Sequence, residues 1–257
     1  MSETDESPIA GFISPPRWYD ASPSEFVSIC AEPVRTQQSI LPMHKFHFDL
    51  DTIAGAIPET MVAARALGES GCSVVCTTGT PYAWAGLSDE PAIRARIAML
   101  ETAAGASVVM AGMAIIDGLR ALGAEKIAVA APYYAPHWRD HWSAIIRACG
   151  FDLLTMQSMD QQNLVPESSD MIEEHGWSTS SEMVIASLEK VAQDAPDADA
   201  IVITGASVRT LPLTAHMESR IGKPLLASDT ALFWAMAQRL DIPLKPGCLG
   251  ALTDAHG

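Results

Sequence analysis

Cys76-Thr77-Thr78, within SVVCTTGTPYAWAG (73–86), combine a thiol with two hydroxyls where an apolar run spills into small polar residues. A cysteine between a strand end and a helix start meets unpaired backbone N–H groups and the positive end of a helix dipole. Both stabilise thiolate. The threonine hydroxyls and neighbouring N–H groups suit a carboxylate, with no metal or arginine required. The alternative is a small buried cysteine at a strand end, the packing role expected of Cys72 on the strand itself. Gly205-Ala206-Ser207 follow a second apolar run, DAIVI (199–203), and offer backbone donors and one hydroxyl, or simply a tight strand-to-helix turn. Tyr133 and Tyr134 follow a third run, where a phenol either points into the same cleft or packs at its rim. Pro15-Pro16 shape the loop after the first strand, and Pro15 is grouped with the substrate contacts.

His137 and His141, four apart in HWRDH beside Asp140, share a helical face, but no third ligand is indicated and no metal site is expected. His44 and His47 in MHKFHF are a second ambiguous pair. The sequence contains no GxGxxG, no GxxxxGK[ST] and no GxSxG, which removes most of the support for nucleotide binding and serine hydrolysis.

The elements that must position these groups alternate between strand and helix. Apolar strands are expected at 9–15, 72–76, 106–110, 126–131, 151–156, 198–204 and 224–228. Helices are expected at 51–67, 90–103, 114–122, 137–149, 180–193, 213–221 and 229–240, the last capped by Asp229. Such alternation makes parallel sheets with helices on both faces, and ligands bind at the carboxyl ends of the strands. The polar span 159–179 reads as a surface insertion. GCSVVCTTGT (71–80) and DAIVITGASV (199–208) form a weak internal repeat, so two strand ends facing across a cleft would make a pseudo-twofold site.

The bulk properties fit a protein of this kind. The chain has 257 residues, 48% apolar and 18% charged, with 16 Lys and Arg against 31 Asp and Glu, giving a formal charge of −15. That balance argues against nucleic acid and against an anionic membrane surface. Five cysteines without a CxxC pattern disfavour disulfides and zinc. No secretory peptide or membrane-length apolar run is visible, so the cytoplasm is the expected location.

CTTGT (76–80), ITGASVRTL (203–211), AAPYY (130–134) and LLASDTALFW (225–234) resemble the maleate isomerase and arylmalonate decarboxylase branch of the aspartate/glutamate racemase superfamily. GFISPP, DGLRALGAEKIAVAAPY and DAPDADAIVITG extend the resemblance over nearly the whole chain. It implies two pseudo-symmetric α/β lobes, here 1–120 with 229–257 and 121–228. The active site would lie between them, with a small carboxylate as substrate and no cofactor. It further implies facing positions for two cysteines, one per lobe. Racemases use both as bases, maleate-type isomerases use one as nucleophile, and decarboxylases keep one to protonate a planar enediolate.

Carried over, Cys76 matches the first cysteine, as proton carrier or nucleophile, and Thr77, Thr78 and Tyr133 match the carboxylate-binding donors. Gly205, with Ala206 and Ser207 after it, occupies the second cysteine position, which leaves one-sided chemistry. A second register matches Gly79-Thr80 to the glycine–threonine pair of the decarboxylases and sets Cys76 one turn away. The expected activity is decarboxylation of a disubstituted malonate-like acid. Isomerisation of maleate-like or amino dicarboxylates, including in compatible-solute breakdown, and a degenerate carboxylate-binding protein are the alternatives.

Overall fold

A computed structural model of the chain describes residues 6–43, 46–167, 171–176 and 179–255. The first apolar run forms β1 (Ile9–Ser14) and the second β3 (Val74–Thr77), with β4 (Ser107–Met110) beside it. The edge strand β2 (Arg35–Ile40) is RTQQSI, polar and largely exposed, so it lacks the apolar run that reveals the others. These strands pair in parallel in the order β2-β1-β3-β4. The later runs form β5 (Lys126–Ala130), β6 (Asp152–Gln157), β7 (Ala200–Ile203) and β8 (Leu225–Ala227), parallel in the order β6-β5-β7-β8. Two four-stranded parallel sheets therefore repeat one topology, as the α/β reading required.

Helices cover both sheets: α1 (Ser22–Ile29), α2 (Leu50–Gly55), α3 (Ile57–Glu69), the single turn α4 (Pro81–Trp84) and α5 (Glu90–Ala104) in the first part of the chain. The run expected as one helix over 51–67 divides at Ala56, between Gly55 and Pro58. Asp49 caps the first piece through the Thr52 amide and hydroxyl, at 2.7 and 2.6 Å. α3 continues through Gly68 to Glu69. Gly68 lies within the helix, where any Cβ would collide with the Ala104 carbonyl of α5.

In both sheets the fourth strand passes into a helix without a loop, β4 into α6 (Ala111–Ala121) and β8 into α11 (Ser228–Leu240). The two helices pack on each other and cross between the sheets. α11 also packs on β3 and β4, and α6 on β8.

Between β5 and β8 lie α7 (Pro136–Ala148), α8 (Met171–His175), α9 (Ser181–Asp194) and α10 (Thr214–Ile221). The span 159–179 is not a surface insertion in its described part. Met159, Gln162, Met171 and Ile172 are buried. The Met159 amide donates to the Pro132 carbonyl at 2.8 Å, and Gln162 pairs with Ser187 of α9. Asp229 is not the cap of the last helix either. The helix begins a residue earlier, leaving the Asp229 carboxylate to accept from the Thr210 amide, the Thr210 hydroxyl and the Leu211 amide at 2.7, 2.6 and 3.2 Å. Among the described residues no helix is long and apolar enough to cross a membrane.

Candidate active site

The ladder register decides which residues of the two halves correspond. Ile13 of β1 pairs with Thr77, and the Thr78 amide donates to the Ile13 carbonyl at 3.1 Å. Ala130 of β5 pairs with Ile203, and the Thr204 amide donates to the Ala130 carbonyl at 3.0 Å. Thr78 is therefore the counterpart of Thr204, and Gly79 of Gly205. The strand before each tip agrees, since Pro15 follows β1 at the place where Pro132 follows β5. Both tips end in glycine.

Cys76 stands three residues earlier, inside β3, between Phe12 and Val109 on the neighbouring strands. Side chains alternate across a sheet. Gly11 and its partner Val75 face α3, where a Cβ at Gly11 would touch Cys72 Sγ and Leu67. Phe12 and Cys76 face the other layer, in which the Phe12 ring contacts Phe26 of α1 and Phe26 contacts Phe233 of α11. Cys76 is fully buried there, and burial, reinforced by the Asp20 carboxylate, pushes its thiol well above the ordinary value. An activated thiolate needs the opposite environment. Cys76 therefore stands three residues before the tip position that corresponds to Gly205, the placement that the second register gives it.

The two tips meet at Ser228, the first residue of α11. Its hydroxyl lies 2.7 Å from the Thr80 hydroxyl of one tip and accepts from the Gly205 amide of the other at 3.1 Å. Tyr133 closes the second tip. Its hydroxyl lies against the Ser207 side chain and the amides of Ser207 and Ala206. These contacts offset part of the burial that pushes its pKa up to about 12. Tyr134 touches Thr204 and Thr80, and burial raises it further. The backbone amides of 205–207 are thus turned onto Ser228 and Tyr133.

Of the other expected contacts, Pro15 lies beside Gly79, its Cγ 3.4 Å from where a Cβ would stand. The Thr77 and Thr78 hydroxyls are buried and without hydrogen-bond partners. Thr78 shares the Cys76 face of the strand, whereas Thr77 points to the α3 side. Trp84 stacks on Trp142 and His141 and meets Trp138 and Tyr134 edge-on, which fastens α4 to α7 of the other half. His141 is directed at the Leu87 carbonyl, 2.7 Å away, and does not join His137 in a site. His44 lies outside the described residues.

Several site residues escaped the sequence reading. Thr80 and Ser228 carried no motif beyond a small hydroxyl after a strand. Asp20 is buried and accepts from the Ser14 hydroxyl and the Ser22 amide at 2.6 and 2.9 Å, behind β1. Arg209 reaches from the β7 tip to Glu25 and Ser22 of α1 and to Asp229, a link between elements nearly two hundred residues apart.

The sequence model of arylmalonate decarboxylase matches residues 10–253, nearly the full length. The chain belongs to the arylmalonate decarboxylase family. It is 28% identical to the arylmalonate decarboxylase of Bordetella bronchiseptica over 185 residues, 70% of each chain. It is 26% identical to a Pseudomonas putida maleate isomerase over 154 residues, 59% of this chain and 56% of that protein. The fold matches a cysteine-to-serine mutant of Nocardia farcinica maleate cis-trans isomerase that holds a covalently bound succinylcysteine intermediate. That match has a TM-score of 0.75 and 21% identity, covering 96% of this chain and 98% of the other. This arylmalonate decarboxylase family member thus lies on the branch that also contains the maleate isomerases, a branch of enzymes.

Proposed function

We propose that this protein is a cofactor-free enzyme that removes carbon dioxide from a small disubstituted malonate-type acid through an enediolate. The cleft would lie between a lobe of residues 1–120 with 229–257 and a lobe of residues 121–228. The observation that carries the reading is the meeting of two glycine-ended tips at Ser228, with hydroxyls of Thr80, Ser228 and Tyr133 gathered around backbone amides. Such donors stabilise charge that develops on a carboxylate as a neighbouring carbon–carbon bond breaks. Each properly placed donor is worth roughly 3 kcal/mol in a dry site. Thr78 completes the cradle, Ala206 and Ser207 set the Tyr133 hydroxyl beside it, and the apolar wall of Pro15, Tyr82 and Trp84 strips water from the carboxylate that leaves.

Decarboxylation is favoured over maleate-type isomerisation because it needs no nucleophile. Addition to an alkene requires an activated side chain at the tip, and here both tip positions are glycine while Cys76 lies in the sheet with its thiol protonated. The test is incubation with a phenylmalonate-type acid and with maleate in D₂O, followed by NMR. The reading predicts carbon dioxide release with one deuterium at the α-carbon. Conversion of maleate to fumarate with no decarboxylation would select the isomerase, and carboxylate binding without turnover would select a binding protein.

A further inference from the structure

We infer that the Tyr133 hydroxyl is the group that protonates the substrate carbon, acting from the Gly205 side of the site. The inference rests on the decarboxylase reading and adds the identity of the proton carrier. A Cβ built on Gly205 would lie 2.6 Å from the Tyr133 hydroxyl oxygen and 2.9 Å from ring atoms Cε1 and Cζ. The phenol therefore fills the space at this tip that a short side chain on residue 205 would occupy. At Gly79 the corresponding space is filled by the edge of the Tyr82 ring, Cδ2 and Cε2 at 2.6 and 2.9 Å, and not by its hydroxyl. A phenolic proton is thus presented at one of the two tips, the one at Gly205.

Acidity selects the same group. The other hydroxyls at the junction belong to serine and threonine, which are far weaker acids than a phenol. Cys76, the nearest thiol in sequence, is turned into the layer of α1 and α11. When the proton leaves, the electron pair of the O–H bond stays on the phenol oxygen. There the amides of Ala206 and Ser207 face it, and fixed donors at a developing anion are the main source of electrostatic catalysis. The tyrosine is packed against Tyr134, whose ring meets it edge-on at 5.7 Å and lies beside Thr80 and Thr204.

The step balances as follows. The bond from the α-carbon to the departing carboxylate breaks, carbon dioxide leaves, and its electron pair enters the retained carboxylate as an enediolate. The α-carbon then takes the Tyr133 proton, and the phenolate takes one from water. Protonation from one face makes a single enantiomer.

The test uses the whole protein and a methyl-substituted phenylmalonate, comparing wild type with Tyr133→Phe and Cys76→Ala. Carbon dioxide release and product enantiomers are both read, and folding is checked by circular dichroism. Tyr133→Phe is expected to lower kcat by about 10²- to 10⁴-fold and to leave residual product racemic, because solvent then protonates either face. Cys76→Ala is expected to stay within about threefold of wild type with its enantiomer unchanged. Replacing Tyr133 by 3-fluorotyrosine, a stronger acid of similar shape, should restore the single enantiomer and move the alkaline limb of the pH profile downward. Tyr133→Phe that keeps both rate and enantiomer, or Cys76→Ala that loses the enantiomer, overturns the assignment while leaving the decarboxylase reading intact. Wild type that releases no carbon dioxide from any malonate overturns both.

Discussion

Adding a single methyl group at Gly205 tests the geometry of the site without altering any charge. Gly205 has φ +125, a conformation that L-residues rarely adopt, and its Cβ would stand 2.6 Å from the Tyr133 hydroxyl. Backbone strain of this kind costs about 1–3 kcal/mol, and overpacking a buried contact costs about 1–3 kcal/mol more. Together these give about 2–6 kcal/mol for Gly205→Ala, or a fall in melting temperature of about 4–24 °C for a chain of this length.

Gly123→Ala separates the two contributions, because Gly123 has φ +66 with open space around it. It should cost only about 1–2 kcal/mol. Combining Gly205→Ala with Tyr133→Phe removes the hydroxyl from the clash and should recover about 1 kcal/mol as a coupling energy. The assay is thermal unfolding by circular dichroism or calorimetry. A Gly205→Ala protein that melts no lower than Gly123→Ala would refute the placement of Tyr133 against this tip. A cysteine at 205 meets the same obstacles, so Gly205→Cys is expected to destabilise the protein and not to create a two-thiol racemase.

Further outcomes follow from buried and paired groups elsewhere. Thiol labelling of the native protein at neutral pH should modify Cys248 first and leave Cys76 untouched, since Cys76 is fully buried with its pKa raised while Cys248 is partly exposed. Activity should survive the labelling. Asp229→Ala removes a buried carboxylate that four donors share, the Thr210 amide and hydroxyl and the amides of Leu211 and Thr230, leaving them and Arg209 without it, and should cost about 3–5 kcal/mol by the same unfolding assay. Glu90, paired with Arg120 and then Arg94, is held down to about 2 from an ordinary 4.5. A carboxylate whose folded pKa is depressed contributes stability above its unfolded pKa and loses it as pH falls through the folded one. Glu90→Gln should therefore flatten the loss of stability between about pH 5 and 2 in acid-unfolding curves.

Local sequence carried much of this. The strand β3 announces itself as an apolar run that stops at small polar residues, and the helix α5 begins at a capping aspartate, Asp89, whose side chain takes the Ala92 amide at 2.9 Å. The edge strand β2 could not be read that way, because a strand exposed along much of its length carries no apolar signal. Asp229 reads locally as a helix cap, but its main partners lie far away in the chain. Besides the adjacent Thr230 amide, its acceptors serve the loop at Thr210, nineteen residues back, and capping rules see only the few residues ahead.

The sequence by itself determined the alternation of strands and helices, the parallel sheets that follow from it, and the two tips made of glycine, serine and threonine. Each depends on periodicity and residue type within a dozen positions. Only the tertiary structure decided that Gly79, and not Cys76, is the counterpart of Gly205, and that Tyr133 fills the space beside it. Register is fixed by hydrogen bonds to β1 and β5, strands more than sixty residues away along the chain. A displacement of three residues along β3 carries a side chain from the tip into the core and reverses the face on which it lies. The cysteine that reads as a tip residue in one dimension is a buried residue of the sheet in three.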